Sequence, residues 1–199
     1  MLPPSDNVNK RTNIYEIKEN AIASGRAVFS IQQLANIIGK PKEIAKVYAS
    51  RMVNKGLVKR ILRGKISFSE DEQVIASQMI EPAYVSLRSA LLFHNLITQV
   101  PANIECVTTK NSIRKTEIGI VYHKIPPSLL YGYEKHKKEK SYLFMATPEK
   151  AVIDGIYLNL ISREEVKEIL PKLNKELLLN YKNRFHGNGK KKIERWLDD

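Results

Sequence analysis

The chain has 199 residues, enough for one or two domains with buried cores, and its 43% of apolar residues argues against disorder of the whole chain. Its formal net charge is +12. Most of this excess lies in residues 1–69, which contain 13 Lys and Arg against 4 Asp and Glu. Such clustering of positive charge favours a polyanion as the partner of the first third of the chain.

The composition also disfavours membrane proteins and disulfide-rich proteins. No run of about 18 apolar residues predicts a membrane span, and no basic amphipathic helix with aromatic anchors predicts binding to a membrane surface. Cys106 is the only cysteine, so no intrachain disulfide is expected, and residues 1–10 lack the apolar core of a signal peptide. We therefore expect a cytoplasmic protein without a membrane partner.

Three helices are predicted ahead of a β-hairpin. Their starts are predicted at Thr12 or Asn13, at Ser30 with Gln33, and at Pro41, and their ends at Gly25, Gly39 and Gly56. The third helix is predicted to bury Ile44, Ala45, Tyr48 and Met52. After it, apolar residues near 57–62, a turn at Arg63 and Gly64, and a strand with Ile66 and Phe68 predict the hairpin.

Helix, tight turn, helix and basic hairpin is the order of elements in a winged helix-turn-helix. Residues 1–69 are therefore predicted as a DNA-binding domain of this kind. The face of the third helix opposite its predicted core offers Lys42, Lys46, Ser50 and Asn54, which suit phosphates and base edges. The hairpin offers Lys59, Arg60, Arg63 and Lys65, which suit the phosphate backbone or a minor groove.

The rest of the chain is predicted as a second domain of mixed α and β structure, residues 70–199. A helix at about residues 70–81 is expected to link the two domains. Ser86 is predicted to cap a helix, and hairpins are predicted at 114–125 and 131–145. Thr147 followed by Pro148 is predicted to begin a strong helix. The fold class is therefore α+β, with a winged helix-turn-helix followed by an α/β domain.

Five segments of the chain resemble the AbiEi-type antitoxins. They are YVSLRSAL at residues 84–91, HNLI at 94–97, VTTK at 107–110, YHKIPP at 122–127 and ATPEKAVID at 146–154. Their order and spacing match from residue 12 to the tail, so the resemblance covers nearly the whole chain. Two places differ from the family pattern: Asn95 stands where glycine is expected, and residues 66–68 lack a tyrosine that often follows the wing turn.

The resemblance implies a repressor of its own operon, often acting at inverted repeats, that is also the antitoxin of a type IV toxin–antitoxin pair in phage defence. It implies that the second domain supports cooperative DNA binding and counteracts a nucleotidyltransferase-like toxin, directly or indirectly. The expected partners are thus double-stranded DNA of the chain's own operator and such a toxin. The sequence leaves open whether the repressor is a monomer or a dimer.

Sequence motifs for catalysis are absent. The four histidines are widely separated and there is one cysteine, so no metal or cofactor is expected. No phosphate-binding glycine loop or nucleophile elbow occurs. Glu149 and Asp154 are predicted to cap a helix and carry surface charge, with a buried polar role for Asp154 as the alternative. We therefore expect a protein that is not an enzyme.

Two other functions stay open on the sequence alone. The winged helix can be an interaction module that docks protein or RNA without operator specificity. An enzyme with an unrecognised site in residues 83–160 is the third possibility, disfavoured by the missing metal and nucleophile motifs.

Overall fold

The computed structural model describes residues 13–197 and shows a chain of mixed α and β structure. The chain divides into two compact units, Met1–Phe68 and Ser69–Asp199. Among the described residues, no helix has the length and the apolar character needed to cross a membrane. The alternative helix cap at Thr12 lies outside the described residues.

The described part of the first unit has three helices and a three-stranded antiparallel sheet. Its elements are α1 (Ile14–Ala23), β1 (Val28–Ser30), α2 (Ile31–Ile38), α3 (Lys42–Asn54), β2 (Lys59–Leu62) and β3 (Lys65–Ser67). The strand order is β1-β3-β2. The helices and the hairpin follow the sequence prediction, whereas β1 was not predicted. Val28 and Phe29 are both buried, so this three-residue strand shows no alternation of apolar and polar residues.

Local capping signals explain the helix ends of the first unit. The Asn13 side chain accepts a hydrogen bond from the Tyr15 amide at 3.1 Å. Ser30 and Gln33 form the predicted capping box: the Gln33 amide donates to Ser30 Oγ, and the Ser30 amide donates to Gln33 Oε1. Gly39 ends α2 with a left-handed φ of 66°, a conformation that glycine adopts without steric cost.

The core face of α3 differs from its predicted position. Ala45, Ala49 and Met52 are buried, whereas Ile44, predicted in the core, keeps 44% of its surface exposed. Tyr48 is half-buried. The prediction for Ile44 is therefore wrong, and the helix is rotated so that two small alanines face the core. Alanines allow close approach between α3 and α2, which pack on each other.

The second unit is built on a six-stranded mixed sheet with helices. Its helices are α4 (Glu72–Met79), α5 (Leu87–Phe93), α6 (Pro148–Leu158), α7 (Arg163–Ile169), α8 (Lys175–Lys182) and α9 (Gly187–Leu197). Its strands are β4 (Ala83–Val85), β5 (Ile104–Thr108), β6 (Ile113–Lys115), β7 (Ile120–Lys124), β8 (Tyr133–Lys138) and β9 (Ser141–Ala146). The strand order is β6-β7-β5-β4-β9-β8, and the β4–β9 and β5–β7 pairs are parallel.

The helix predicted at about residues 70–81, α4, packs on the sheet of the second unit. All residues of α4 from Val74 onward are buried. Gln78 Nε2 donates to the Tyr142 carbonyl of β9 at 2.6 Å, and the Tyr122 hydroxyl of β7 donates to the Ala76 carbonyl at 2.6 Å. These contacts attach α4 to the sheet, so its apolar residues contribute to the core.

Two positions near α5 show how local patterns and tertiary contacts differ. Ser86 occupies the N-cap position of α5 but makes no capping bond, because its hydroxyl donates to Asp154 Oδ2 at 2.9 Å. The predicted cap is therefore wrong. Asn95, which replaces an expected glycine, has a φ of 58° just after the end of α5. Asn is among the few residues other than Gly that tolerate this conformation.

Candidate nucleic-acid interface

A cavity of about 590 Å³ lies between α3, the β2–β3 hairpin and the start of α2 in the first unit. It is lined by Ser30, Ile31, Gln32, Lys42, Lys46, Ala49, Ser50, Arg60, Leu62, Arg63, Gly64, Lys65 and Ile66. Five of these residues are Lys or Arg, and none of the described lining residues is acidic. The cavity therefore attracts anions, and its five cations suit a partner with repeated negative charges.

The cations reach the cavity from two kinds of element. Lys42, Lys46 and Ser50 recur every four residues on α3, so they form a row along one side of that helix. Arg60 comes from β2, Arg63 from the turn, and Lys65 from the start of β3. The two walls of the cavity are thus a helix row and a hairpin, each carrying positive charge.

Short-range contacts fix the hairpin against the helices. Gly64 takes a φ of 81° in the turn, which suits glycine, and its carbonyl accepts a hydrogen bond from the Ile31 amide at 3.1 Å. Arg60 Nη2 lies 3.5 Å from Ser50 Oγ, so β2 also contacts the middle of α3. These contacts hold the cations of both walls on one surface.

The structure brings six of the eight predicted site residues together. Lys42, Lys46, Ser50, Arg60, Arg63 and Lys65 line the cavity. Asn54, the last residue of α3, and Lys59, the first residue of β2, are exposed but are not among the residues that line it. Both lie at the ends of their elements.

Sequence reasoning missed other residues that face this region. Ser30 and Gln32, at the start of α2, contribute polar groups to the cavity. Val47 was not considered, although 46% of its surface is exposed on α3. Glu43, which the sequence placed beside the outward face, is also exposed and lies four residues before Val47 on the same side of the helix. If the two alanines had been taken as the core face, the sequence would have predicted that Val47 faces outward.

The second unit holds a buried polar cluster, so the alternative prediction of a buried polar role for Asp154 is confirmed and the prediction of surface charge for Glu149 and Asp154 is wrong. Asp154 is 1% exposed and accepts hydrogen bonds from Tyr84 and Ser86, and it pairs with the Lys150 ammonium, which is 0% exposed. Burial and the neighbouring Asp154 carboxylate raise the pKa of Tyr84. Glu149, also predicted as a surface charge, is 5% exposed and accepts a hydrogen bond from the Asn174 amide. These contacts are those of a buried structural anchor.

A second cavity of about 620 Å³ in the second unit carries charges of both signs. On its wall, the Arg88 guanidinium donates to both carboxylate oxygens of Glu165 at 2.7 Å and thereby lowers the pKa of Glu165. Burial raises the pKa of Glu105 and lowers that of His123. Mixed charge of this kind does not favour a polyanion, so the basic cavity of the first unit is the better candidate.

Metal ions have no evident site in the part of the chain that the structure describes, since no group of three or more His, Cys, Asp and Glu side chains is arranged to hold one. Comparison with protein-family models and with curated proteins gives no match.

Proposed function

We propose that the first unit is a winged helix-turn-helix that binds double-stranded DNA, and that the chain is a sequence-specific transcriptional repressor. The observation that carries this proposal is the basic cavity between α3 and the hairpin. A helix that follows another helix across a short turn, with a basic hairpin beside it, is the arrangement by which such domains enter a major groove.

The division of labour in the interface follows from the two walls of the cavity. The exposed side of α3 enters the major groove, where Ser50 and its neighbours on the helix meet base edges. The hairpin cations Arg60, Arg63 and Lys65 bind adjacent phosphates. Lys42 and Lys46, on the side of α3 that lines the cavity, continue the positive charge of the hairpin along the backbone of the DNA.

We further propose, on the resemblance to AbiEi-type antitoxins, that this repressor is the antitoxin of a type IV pair and controls its own operon. The segments 84–91 and 146–154, which carry much of that resemblance, supply the members of the buried cluster formed by Tyr84, Ser86, Lys150 and Asp154. Residues of the two segments thus bind each other in the folded chain, which supports treating the two segments as parts of one sequence pattern. A nucleotidyltransferase-like reading frame beside the gene, and relief of its toxicity on co-expression, test the antitoxin role.

The DNA-binding proposal is tested by fluorescence-anisotropy titration of the full chain with the DNA upstream of its own gene and with a scrambled duplex, at two salt concentrations. We expect a preference of about 10³-fold or more for the native sequence. Lys46→Ala and Arg63→Ala should each weaken binding and reduce the salt slope by about 0.9, since each removes one phosphate contact.

The control for this experiment is Lys18→Ala, which removes one positive charge from α1, away from the cavity. It should leave the salt slope within error of the unchanged chain. If Lys46→Ala and Arg63→Ala behave like Lys18→Ala, the interface is misplaced. Equal binding of native and scrambled duplexes would reduce the function to non-specific binding of nucleic acid.

A further inference from the structure

Two large apolar side chains are exposed side by side on α3. Ile44 is 44% exposed and Val47 is 46% exposed. Residues three positions apart on a helix are neighbours, so the two form one apolar patch. Among the described residues, the large hydrophobic side chains with comparable exposure are few, namely Tyr15, Val100 and Leu179 in addition to this pair. We therefore ask which apolar group of a binding partner could cover this pair on the proposed DNA-reading helix.

The position of the patch follows from the buried face of α3. With Ala45, Ala49 and Met52 toward the core, a rotation of about 100° per residue places Val47 almost directly opposite, between Glu43 and Arg51. Lys42 and Lys46 lie to one side, toward the hairpin cavity, and Ile44 lies on the other side of Val47. Val47 thus lies near the centre of the outward face.

The chemistry of base edges restricts what such a side chain can contact. In the major groove, guanine, adenine and cytosine present hydrogen-bond donors and acceptors, whereas thymine also presents an apolar C5 methyl group. A valine cannot satisfy the donors and acceptors that it would cover. A valine contributes favourable binding free energy only where it removes another apolar group from water.

Resting on the proposed DNA-binding function, we propose that Val47, with Ile44 beside it, contacts thymine methyl groups in the major groove and makes thymine a determinant of the recognised sequence. The neighbouring positive charge identifies DNA rather than protein as the occupant. A second copy of the chain placed symmetrically on this patch would bring the same lysine rows toward each other, and like charges would oppose that contact.

The test uses the full chain and a duplex selected by it from a random library. The selected duplex is then prepared with deoxyuridine in place of thymidine, which removes the methyl groups and keeps base pairing and phosphates. We expect binding of the unchanged chain to weaken about fourfold for each methyl group that loses contact. Val47→Ala should weaken binding of the thymine duplex, and its affinity should no longer depend on the methyl groups that Val47 contacts.

The matched control is Leu179→Ala, which truncates an apolar side chain of similar exposure, 51%, on α8 of the second unit. This variant should keep the same ratio of affinities for the thymine duplex and the uracil duplex as the unchanged chain. Circular dichroism and sedimentation of Val47→Ala should match those of the unchanged chain, because the side chain is not part of the core.

Each result has a definite meaning. Specific binding that is equally tight to the thymine and uracil duplexes overturns the methyl contact and leaves the DNA-binding function standing. An unchanged thymine-to-uracil ratio in Val47→Ala overturns the role of Val47, and a shift from dimer to monomer in that variant with the ratio unchanged assigns the patch to self-association. Failure to enrich any duplex overturns the proposed function and the methyl contact together.

Discussion

The buried ion pair between Lys150 and Asp154 is the contact whose loss we expect to destabilise the second unit most. The two side chains are 0% and 1% exposed and lie four residues apart on α6. Asp154 Oδ2 also accepts hydrogen bonds from the Tyr84 hydroxyl and from Ser86 Oγ, each at 2.9 Å. The Lys150 ammonium lies 4.8 Å from the centre of the Tyr131 ring. The Asp154 carboxylate is therefore the common partner of the Lys150 ammonium and of the Tyr84 and Ser86 hydroxyls.

The expected cost follows from leaving one charge without its partner. Asp154→Asn keeps the size of the side chain and an oxygen acceptor, but it leaves the Lys150 ammonium buried without a counter-charge. Breaking a buried pair in this way costs about 3–5 kcal/mol of unfolding free energy. Lys150→Met with Asp154→Asn removes both charges, so the double variant should lose less than the sum of the single losses, by about 1–3 kcal/mol.

The assay is urea unfolding followed by the fluorescence of Trp196, the only tryptophan of the chain, which lies on α9 in the second unit. A matched control is Glu194→Gln, because Lys190 and Glu194 form an ion pair with the same spacing on the surface, 38% and 37% exposed. That exposed pair contributes about 0.3–0.5 kcal/mol. Equal small shifts of the unfolding free energy in Asp154→Asn and Glu194→Gln would refute the expected large cost of leaving the buried Lys150 charge unpaired.

Two further predictions concern the second unit. Because Arg88 lowers the pKa of Glu165 in the folded chain, the pair stabilises at neutral pH and its contribution is lost as the pH falls through about 4.3 and below. Glu165→Gln should therefore cost about 1 kcal/mol at pH 7 and much less at pH 3, and equal urea shifts at both pH values would contradict this. Gly132→Ala should cost about 2–4 kcal/mol, since its φ is 71° and a Cβ would lie 2.9 Å from Tyr181 Cζ. Gly39→Ala, with a φ of 66° and open space, should cost only about 1–2 kcal/mol, and equal losses would argue against crowding at Gly132.

The elements that the sequence predicted well are those whose signals are local. A capping box needs two side chains three positions apart, and Ser30 with Gln33 forms the predicted one. Thr147 caps α6 as expected by accepting from the Lys150 amide. Such contacts involve neighbours in the chain, so the residue types alone are sufficient to predict them.

Contacts between distant residues decided the features that were predicted wrongly. Ser86 has the residue type and the position of a cap, yet its hydroxyl binds Asp154, which is 68 positions away. The α4 helix has the acidic start and the short length of a linker, yet its residues from Val74 to Met79 are buried and the helix packs on the sheet. No local pattern distinguishes these outcomes, because the competing partners become neighbours only when the sheet has formed.

The rotation of α3 shows how such a long-range choice changes the proposed mechanism. Apolar residues occur nearly all around this helix, at Ile44, Ala45, Val47, Tyr48, Ala49, Met52 and Val53. Periodicity therefore permits two core faces, one centred on Ile44 and Tyr48 and one on the two alanines. Close packing against α2 favours the alanines, because small side chains let the helix axes approach.

That choice divides the predicted DNA contacts into two groups. With the alanines inward, Lys42 and Lys46 line the same cavity as the hairpin cations, where in the proposed complex charge rather than base identity would govern binding. Val47 and Ser50 become the side chains best placed to meet base edges. Substituting Lys46 should then weaken binding to all duplexes alike, whereas substituting Val47 should change which duplex is preferred. In the proposed complex, the two faces of this helix would thus carry affinity and specificity separately, with the packing of the two alanines setting the boundary between them.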